Sequence, residues 1–112
     1  MILTEQKINS AIILQLDGRL DLSSLDLFEK KMNSFIEMGY EKIILDCSKL
    51  SYISSAGLRI LVMEQKKEKV KNGEIILFGI NENIKRIFEI SGYYRIFPVF
   101  NSKDEALRHF EK

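Results

Sequence analysis

Residues 41–61 of the chain read EKIILDCSKLSYISSAGLRIL. The run IIL at residues 43–45 is short and continuously apolar, which is typical of a strand covered on both faces of its sheet. We expect a strand over residues 41–46, a polar loop over 47–54 and a helix over 55–71. A buried strand followed by a helix is the unit from which parallel sheets are built, so this stretch predicts an α/β fold.

Two strand candidates open the chain. They cover residues 2–8 and 11–16, and the turn between them falls on Asn9 and Ser10. Alternating apolar residues in the second segment suit the half-buried partner of a hairpin. Gly18 is expected to end that second strand.

A helix is predicted over residues 23–38. Ser23 and Asp26 form a plausible capping pair at its start, and Gly39 is the expected stop. Its apolar residues fall on one stripe, made by Leu25, Phe28, Met32, Phe35 and Ile36.

The C-terminal third alternates strands and helices. Residues 75–78 and 96–100 read as strands, with a short third helix between them. Pro98 cannot donate a ladder hydrogen bond, so the last strand is predicted at a sheet edge. Ser102 and Glu105 form a capping box for a C-terminal helix.

The predicted order is therefore β-β-α-β-α-β-α-β-α. This order implies one α/β domain over residues 1–112, in which helices pack on a mixed sheet.

Composition narrows the possible functions. The 112 residues hold 17 basic and 16 acidic side chains, a net charge of +1. That balance does not favour nucleic acid or a membrane as the main partner. The single cysteine, Cys47, forms no internal disulfide, and no secretory signal is visible at the start. We expect a cytoplasmic protein.

Few side chains could carry catalysis. His109, the single histidine, lies among charged residues and reads as a solvated surface residue. Cys47 follows a buried strand and reads as a small core residue. No phosphate loop or metal-ligand spacing is present, so we expect no enzyme, no cofactor and no metal. The lysine-rich run over 66–71, with Glu64 and Glu68 interleaved, reads as a solvated helix face.

Ser54 and Ser55 stand where a helix must begin after a central strand. One of them is expected to cap the helix by accepting a hydrogen bond from a free backbone N–H. The positive end of the helix dipole is also a natural seat for an anion. A phosphate on either serine would therefore add charge at little conformational cost.

Three segments resemble the STAS domain, and in particular the bacterial anti-sigma factor antagonists. They are DCSKLSYISSAGLRIL at residues 46–61, GRLD at 18–21 and IKRIFEISG at 84–92. They occur in the expected order and the element order covers essentially the whole chain.

The resemblance implies a partner switch. The unmodified protein would bind an anti-sigma factor with serine kinase activity, which phosphorylates it and so breaks the complex. A metal-dependent serine phosphatase would restore it. By position the phosphorylated residue is Ser55, with Ser54 as second choice. Family members usually have Asp where Ser54 stands and often have Ser or Thr where Ala56 stands, so this chain departs from the pattern twice.

We hypothesise that the partner docks over the start of the second helix and the loops beside it. The expected contact residues are Asp21, Ser23, Ser24, Ser54, Ala56, Gly57, Ile60 and Met63. For Ile60 and Met63, burial under a neighbouring helix is an equally good interpretation.

Two other classes stay open. STAS-like chains also serve as scaffold subunits that are not phosphorylated, in stress assemblies or lipid transport. A small nucleotide-binding or catalytic α/β domain is the third class, although no phosphate loop or triad supports it.

Overall fold

The computed structural model describes residues 1–111 and contains five strands and four helices. The strands are β1 Ile2–Ile8, β2 Ala11–Leu20, β3 Lys42–Ile53, β4 Glu74–Phe78 and β5 Val99–Phe100. The helices are α1 Leu25–Glu37, α2 Ser55–Val70, α3 Glu82–Ser91 and α4 Lys103–Phe110, and a 3-10 turn covers Tyr93–Arg95. The predicted α/β element order is confirmed.

One mixed sheet runs in the order β1-β2-β3-β4-β5. Strand β1 is antiparallel to β2, and every other neighbouring pair is parallel. The predicted edge position of the last strand is confirmed, because β5 is the outermost strand, although Pro98 lies just before β5 and not within it. Within residues 1–111 no helix is both long enough and apolar enough to cross a membrane.

Both faces of the sheet are covered, as the run at residues 43–45 predicts. Leu14, Leu45 and Leu77 lie in register across three strands and join the cluster under α1, α2 and α3. The adjacent row points the opposite way, toward α4, and consists of Ile13, Ile44 and Ile76. Because side chains alternate across a strand, a continuous apolar run serves two cores.

Strands β2 and β3 are longer than predicted. The segment 47–54, expected as a loop, continues β3 to Ile53, and β2 passes through Gly18 to Leu20. The two extensions pair with each other, with register shifts that place Gly18 at φ +122° inside the strand. Their polar residues face solvent while Leu50 and Ile53 are buried, which is why the segment reads as a loop.

Two smaller boundaries differ from expectation. Helix α1 begins at Leu25, with Ser24 rather than Ser23 at the capping position. The last strand keeps only two residues, because the chain before it forms the 3-10 turn. The predicted cap of the last helix is confirmed, since the Ser102 hydroxyl accepts from the Glu105 N–H at 3.2 Å.

Candidate functional site

The first turn of α2 lies at the carboxyl ends of β2 and β3, against the end of β2. The Ser54 N–H donates to the Leu20 carbonyl oxygen at 2.9 Å. One turn on, Gly57 is buried against the same strand end, where an added Cβ would lie 2.7 Å from that oxygen. The absence of a side chain at Gly57 is therefore what lets the helix start this close to β2.

The two serines at this junction have different surroundings. Ser54 is the N-cap, with extended backbone, and its hydroxyl oxygen accepts from the Gly57 N–H at 3.0 Å. Ser55 is the first helical residue and is exposed. Its hydroxyl makes no hydrogen bond to the described part of the chain, residues 1–111. Ser55 is thus the serine whose oxygen is open to a reagent.

Charge at this end of α2 favours an anion. The first turn carries no acidic residue, so the positive end of the helix dipole is not offset there. Ala56 is half-buried beside Ser55. A phosphate on Ser55 would sit where the dipole stabilises negative charge.

The β2–α1 loop places a fixed carboxylate on this edge of the sheet. Asp21 Oδ1 accepts from the Ser23 hydroxyl at 2.6 Å and from the Ser23 N–H at 3.1 Å. Arg19 Nε lies 3.2 Å from Asp21 Oδ2. The hydrogen bond from Ser23, and next that from Arg19, lower the pKa of Asp21. Ser23 therefore holds the Asp21 carboxylate in one orientation and favours its ionised form.

Ser24 is buried, whereas the predicted docking surface requires an exposed contact residue. It is only 4% exposed, and its hydroxyl donates to the Arg19 carbonyl at 2.6 Å while accepting from the Asp21 N–H at 3.1 Å. Gly57 is buried as well. Both residues shape the loop and the helix start and offer no surface of their own.

Ile60 and Met63, for which burial and an exposed contact were both open, differ in their surroundings. Ile60 is half-buried and packs against the core, whereas Met63 is 41% exposed. Met63 lines a groove of about 670 Å³ between α2 and the end of α3 with the 3-10 turn, and Ser55 lines the same groove. Leu58 and Leu61 are buried against the sheet.

The family model described as STAS domain matches residues 3–106 of the chain. The chain belongs to the STAS domain family. A candidate anti-sigma factor antagonist of Bordetella bronchiseptica, BtrV, is 34% identical over 111 residues, which are 99% of this chain and 96% of that protein. The anti-sigma F factor antagonist of Paenibacillus polymyxa is 28% identical over 89% of this chain and 86% of its own.

Solved structures share the fold of this STAS domain. A candidate anti-sigma factor antagonist of Thermotoga maritima superimposes with a TM-score of 0.93 at 24% identity, covering 98% of this chain and 95% of that one. The phosphorylated form of the Bacillus cell fate determinant SpoIIAA gives a TM-score of 0.76 at 19% identity, covering 96% and 98%. At these identities the likeness establishes the fold alone.

Four surface residues of this STAS domain were not predicted. Leu22, beside Asp21, is 82% exposed, and the Arg19 guanidinium lies 4.3 Å from the centre of the exposed Tyr52 ring. Arg59 lines the groove with Ser55. Leu22 was detectable, since it lies outside the apolar stripe of α1. Tyr52 and Arg19 were not, because their contact depends on the paired extensions of β2 and β3.

Cys47 and His109, the two side chains considered for catalysis, lie away from this site. Burial raises the pKa of the Cys47 thiol, which is enclosed in the core. His109, predicted as a solvated surface residue, is half-buried, and its Nε2 lies 2.7 Å from Glu74 Oε1. Within residues 1–111, no three or more His, Cys, Asp or Glu side chains gather to hold a metal ion.

The lysine-rich part of α2 also differs from expectation. Glu64 and Glu68 are 0% and 1% exposed, although they were read as part of a solvated face. Glu64 turns inward where α1 packs along α2, and Lys67 bridges to Glu64 at 3.0 Å and to Asn33 on α1 at 3.2 Å. The Glu68 carboxylate lies against Gly73, in the turn after α2. The lysines between them remain exposed.

Proposed function

We propose that this STAS domain is an anti-sigma factor antagonist that works by partner switching in the cytoplasm. Unmodified, it binds an anti-sigma factor with serine kinase activity, and phosphorylation of Ser55 by that kinase releases it. The observation that carries this proposal is the contrast between the two serines: the Ser54 hydroxyl caps α2, whereas the Ser55 hydroxyl is exposed and has no hydrogen-bond partner within residues 1–111. A metal-dependent serine phosphatase returns the chain to its binding state.

The comparisons support the same function. Relatives that align over most of the chain are named as anti-sigma factor antagonists. SpoIIAA, which shares the fold, has been obtained in a phosphorylated form. A phosphate suits the proposed site because Ser55 is exposed and is the first residue of a helix.

The docking surface is proposed to combine the helix start with the β2–α1 loop. Ser55, Ala56 and Met63 contribute from α2, and the exposed Leu22 lies beside the oriented carboxylate of Asp21. An apolar side chain surrounded by fixed polar groups is typical of an interface centre. Ser24, Ser54, Gly57 and Ile60 hold this surface in shape from beneath.

Electrostatic repulsion is sufficient to drive release. A phosphoserine carries about −1.5 to −2 charges at neutral pH. Against a partner carboxylate about 6 Å away, at an effective dielectric near 20, the repulsion is on the order of a few kcal/mol. Because about 1.4 kcal/mol changes a dissociation constant tenfold, one such contact weakens the complex by roughly a hundredfold or more.

The test begins with the partner. Ser55→Ala, used as bait in cytosol, is expected to retain an anti-sigma factor, which mass spectrometry identifies. That partner is then purified and titrated calorimetrically with wild type, Ser55→Ala and Ser55→Asp. We expect Ser55→Ala to bind like unmodified wild type and Ser55→Asp to bind at least tenfold more weakly. Equal affinity of Ser55→Asp and wild type would contradict the electrostatic mechanism.

Phosphate mapping completes the test. Incubation of the chain with the purified partner and ATP is expected to label Ser55 in wild type and in the matched Ser54→Ala variant, but not in Ser55→Ala. Binding without any label on Ser54 or Ser55 would instead favour a scaffold subunit that is not phosphorylated.

A further inference from the structure

The groove beside Ser55 has an apolar lining. It lies between α2 and the segment formed by the end of α3 and the 3-10 turn, with a volume of about 670 Å³. Its apolar and aromatic lining residues are Tyr52, Ile53, Leu58, Val62, Met63, Ile87, Tyr93 and Ile96. Several of them also pack on the core, so the groove has a firm floor. A floor of this kind favours a partner that brings apolar side chains.

The charges in the groove all have one sign. Arg59 and Lys66 line it, and no Asp or Glu of the described chain does. Neither cation is in an ion pair within residues 1–111, whereas their neighbours Lys67 and Lys69 pair with Glu64 and Glu74. Because the whole chain carries a net charge of only +1, this positive groove is a local feature. It is complementary to a segment that carries carboxylates.

Helical spacing connects the groove to the modified serine. Ser55, Arg59 and Met63 follow one another at intervals of four residues, so they share one face of α2. Arg59 is thus the cation of α2 nearest along the helix to Ser55. Guanidinium groups bind carboxylates and phosphates with comparable geometry, through two parallel N–H···O bonds.

We propose that this groove receives a segment of the anti-sigma factor in which apolar side chains are flanked by carboxylates, and that Arg59 pairs with one of those carboxylates. After phosphorylation of Ser55, Arg59 pairs with the phosphate on its own helix. Modification therefore adds an anion and withdraws one of the groove's two cations in one step. This inference rests on the proposed function and assigns to it a partner surface and a second electrostatic element.

The binding test uses the full chain in a background where phosphorylation cannot occur. Ser55→Ala is combined with Arg59→Glu, and separately with Arg108→Glu, which makes the same charge change on α4 across the sheet. Titration with the purified anti-sigma factor is expected to show a roughly tenfold or greater loss for Arg59→Glu and an unchanged constant for Arg108→Glu. Equal affinities of all three chains would overturn the groove proposal and leave the antagonist function standing.

Two further readouts separate the alternatives. In chain phosphorylated on Ser55, ³¹P titration is expected to give a lower second phosphate pKa with Arg59 present than in Arg59→Gln, and an equal pKa would overturn the Arg59–phosphate pair. If Ser55→Ala alone captures no anti-sigma factor, the proposed function itself fails. If the isolated chain dimerises and Arg59→Glu abolishes the dimer, the groove is an interface with a second copy of the chain, and the proposal is overturned.

Discussion

The hydroxyl oxygen of Ser54 accepts a hydrogen bond from the backbone N–H of Gly57 at 3.0 Å. This bond satisfies one of the free donors at the start of α2 and gives Ser54 a structural role. The next residue, Ser55, is not the capping residue and is exposed. Of the two adjacent serines, the first stabilises the helix start and the second presents its hydroxyl at the surface.

The two serines are expected to differ in their effect on stability. Ser54→Ala removes the cap and should lower the free energy of unfolding by about 1 kcal/mol. Ser55→Ala removes no side-chain hydrogen bond seen within residues 1–111 and should change it by less than about 0.5 kcal/mol. Urea unfolding followed by circular dichroism measures both. Ser54→Asp, which restores a capping oxygen, is the matched control and should recover most of the loss.

Gly57→Ala should destabilise the domain although alanine is the better helix former. The new Cβ would lie 2.7 Å from the Leu20 carbonyl oxygen and 3.1 Å from side-chain atoms of Leu20 and Ile53. Since overpacking of this kind costs about 1–3 kcal/mol, we expect a loss near 2 kcal/mol. A thermal melt that shows a gain in stability would mean that α2 can move away from β2 at no cost.

Gln65 fastens α2 to the part of β4 that β5 leaves unpaired. Its side-chain oxygen accepts from the Ile75 N–H at 2.8 Å, and its nitrogen donates to the carbonyls of Ile75 and Ile96 at 2.9 and 3.0 Å. Gln65→Leu would leave these buried groups unpaired, with a loss of about 3 kcal/mol. Lys66→Gln, an exposed change one residue on, should stay within about 0.5 kcal/mol in the same urea titration.

Glu68 should make stability depend on pH. Desolvation by burial, and next the neighbouring Glu41, raise the pKa of Glu68 from 4.5 to about 7, while Lys71 lowers it. The raised pKa means that the protonated form stabilises the folded chain. That stabilisation is complete below about pH 4.5 and is lost as the pH rises through 7.

Glu68→Gln removes this titration. The variant should be more stable than wild type at pH 8 by up to roughly 3 kcal/mol, with the difference shrinking toward pH 5. Urea unfolding at four pH values between 5 and 8 measures the difference. Asp21 does not confuse the comparison, because its pKa is lowered from 3.8 and it titrates below this window. A difference that does not vary with pH would show that Glu68 is ionised throughout.

Local pattern was enough to predict the order of elements. The apolar run at residues 43–45 predicted a strand covered on both faces. The structure agrees, because Leu45 belongs to the core cluster on one face of the sheet and Ile44 to the cluster on the other. Long-range pairing was harder to predict. The polar extension of β3 is a strand because β2 lies beside it, and nothing local to residues 47–53 signals that partner.

The sequence by itself determined that a helix begins at the serine pair after a central strand, because capping and hydrophobic periodicity are local properties. It did not determine which hydroxyl is used within the fold and which is exposed. Tertiary structure decided that, because the Ser54 N–H donates to the Leu20 carbonyl oxygen and Gly57 packs against the same oxygen, which fixes Ser54 as the capping residue. It also buried Glu64 and Glu68 and formed the groove that Arg59 lines, because burial depends on which elements meet.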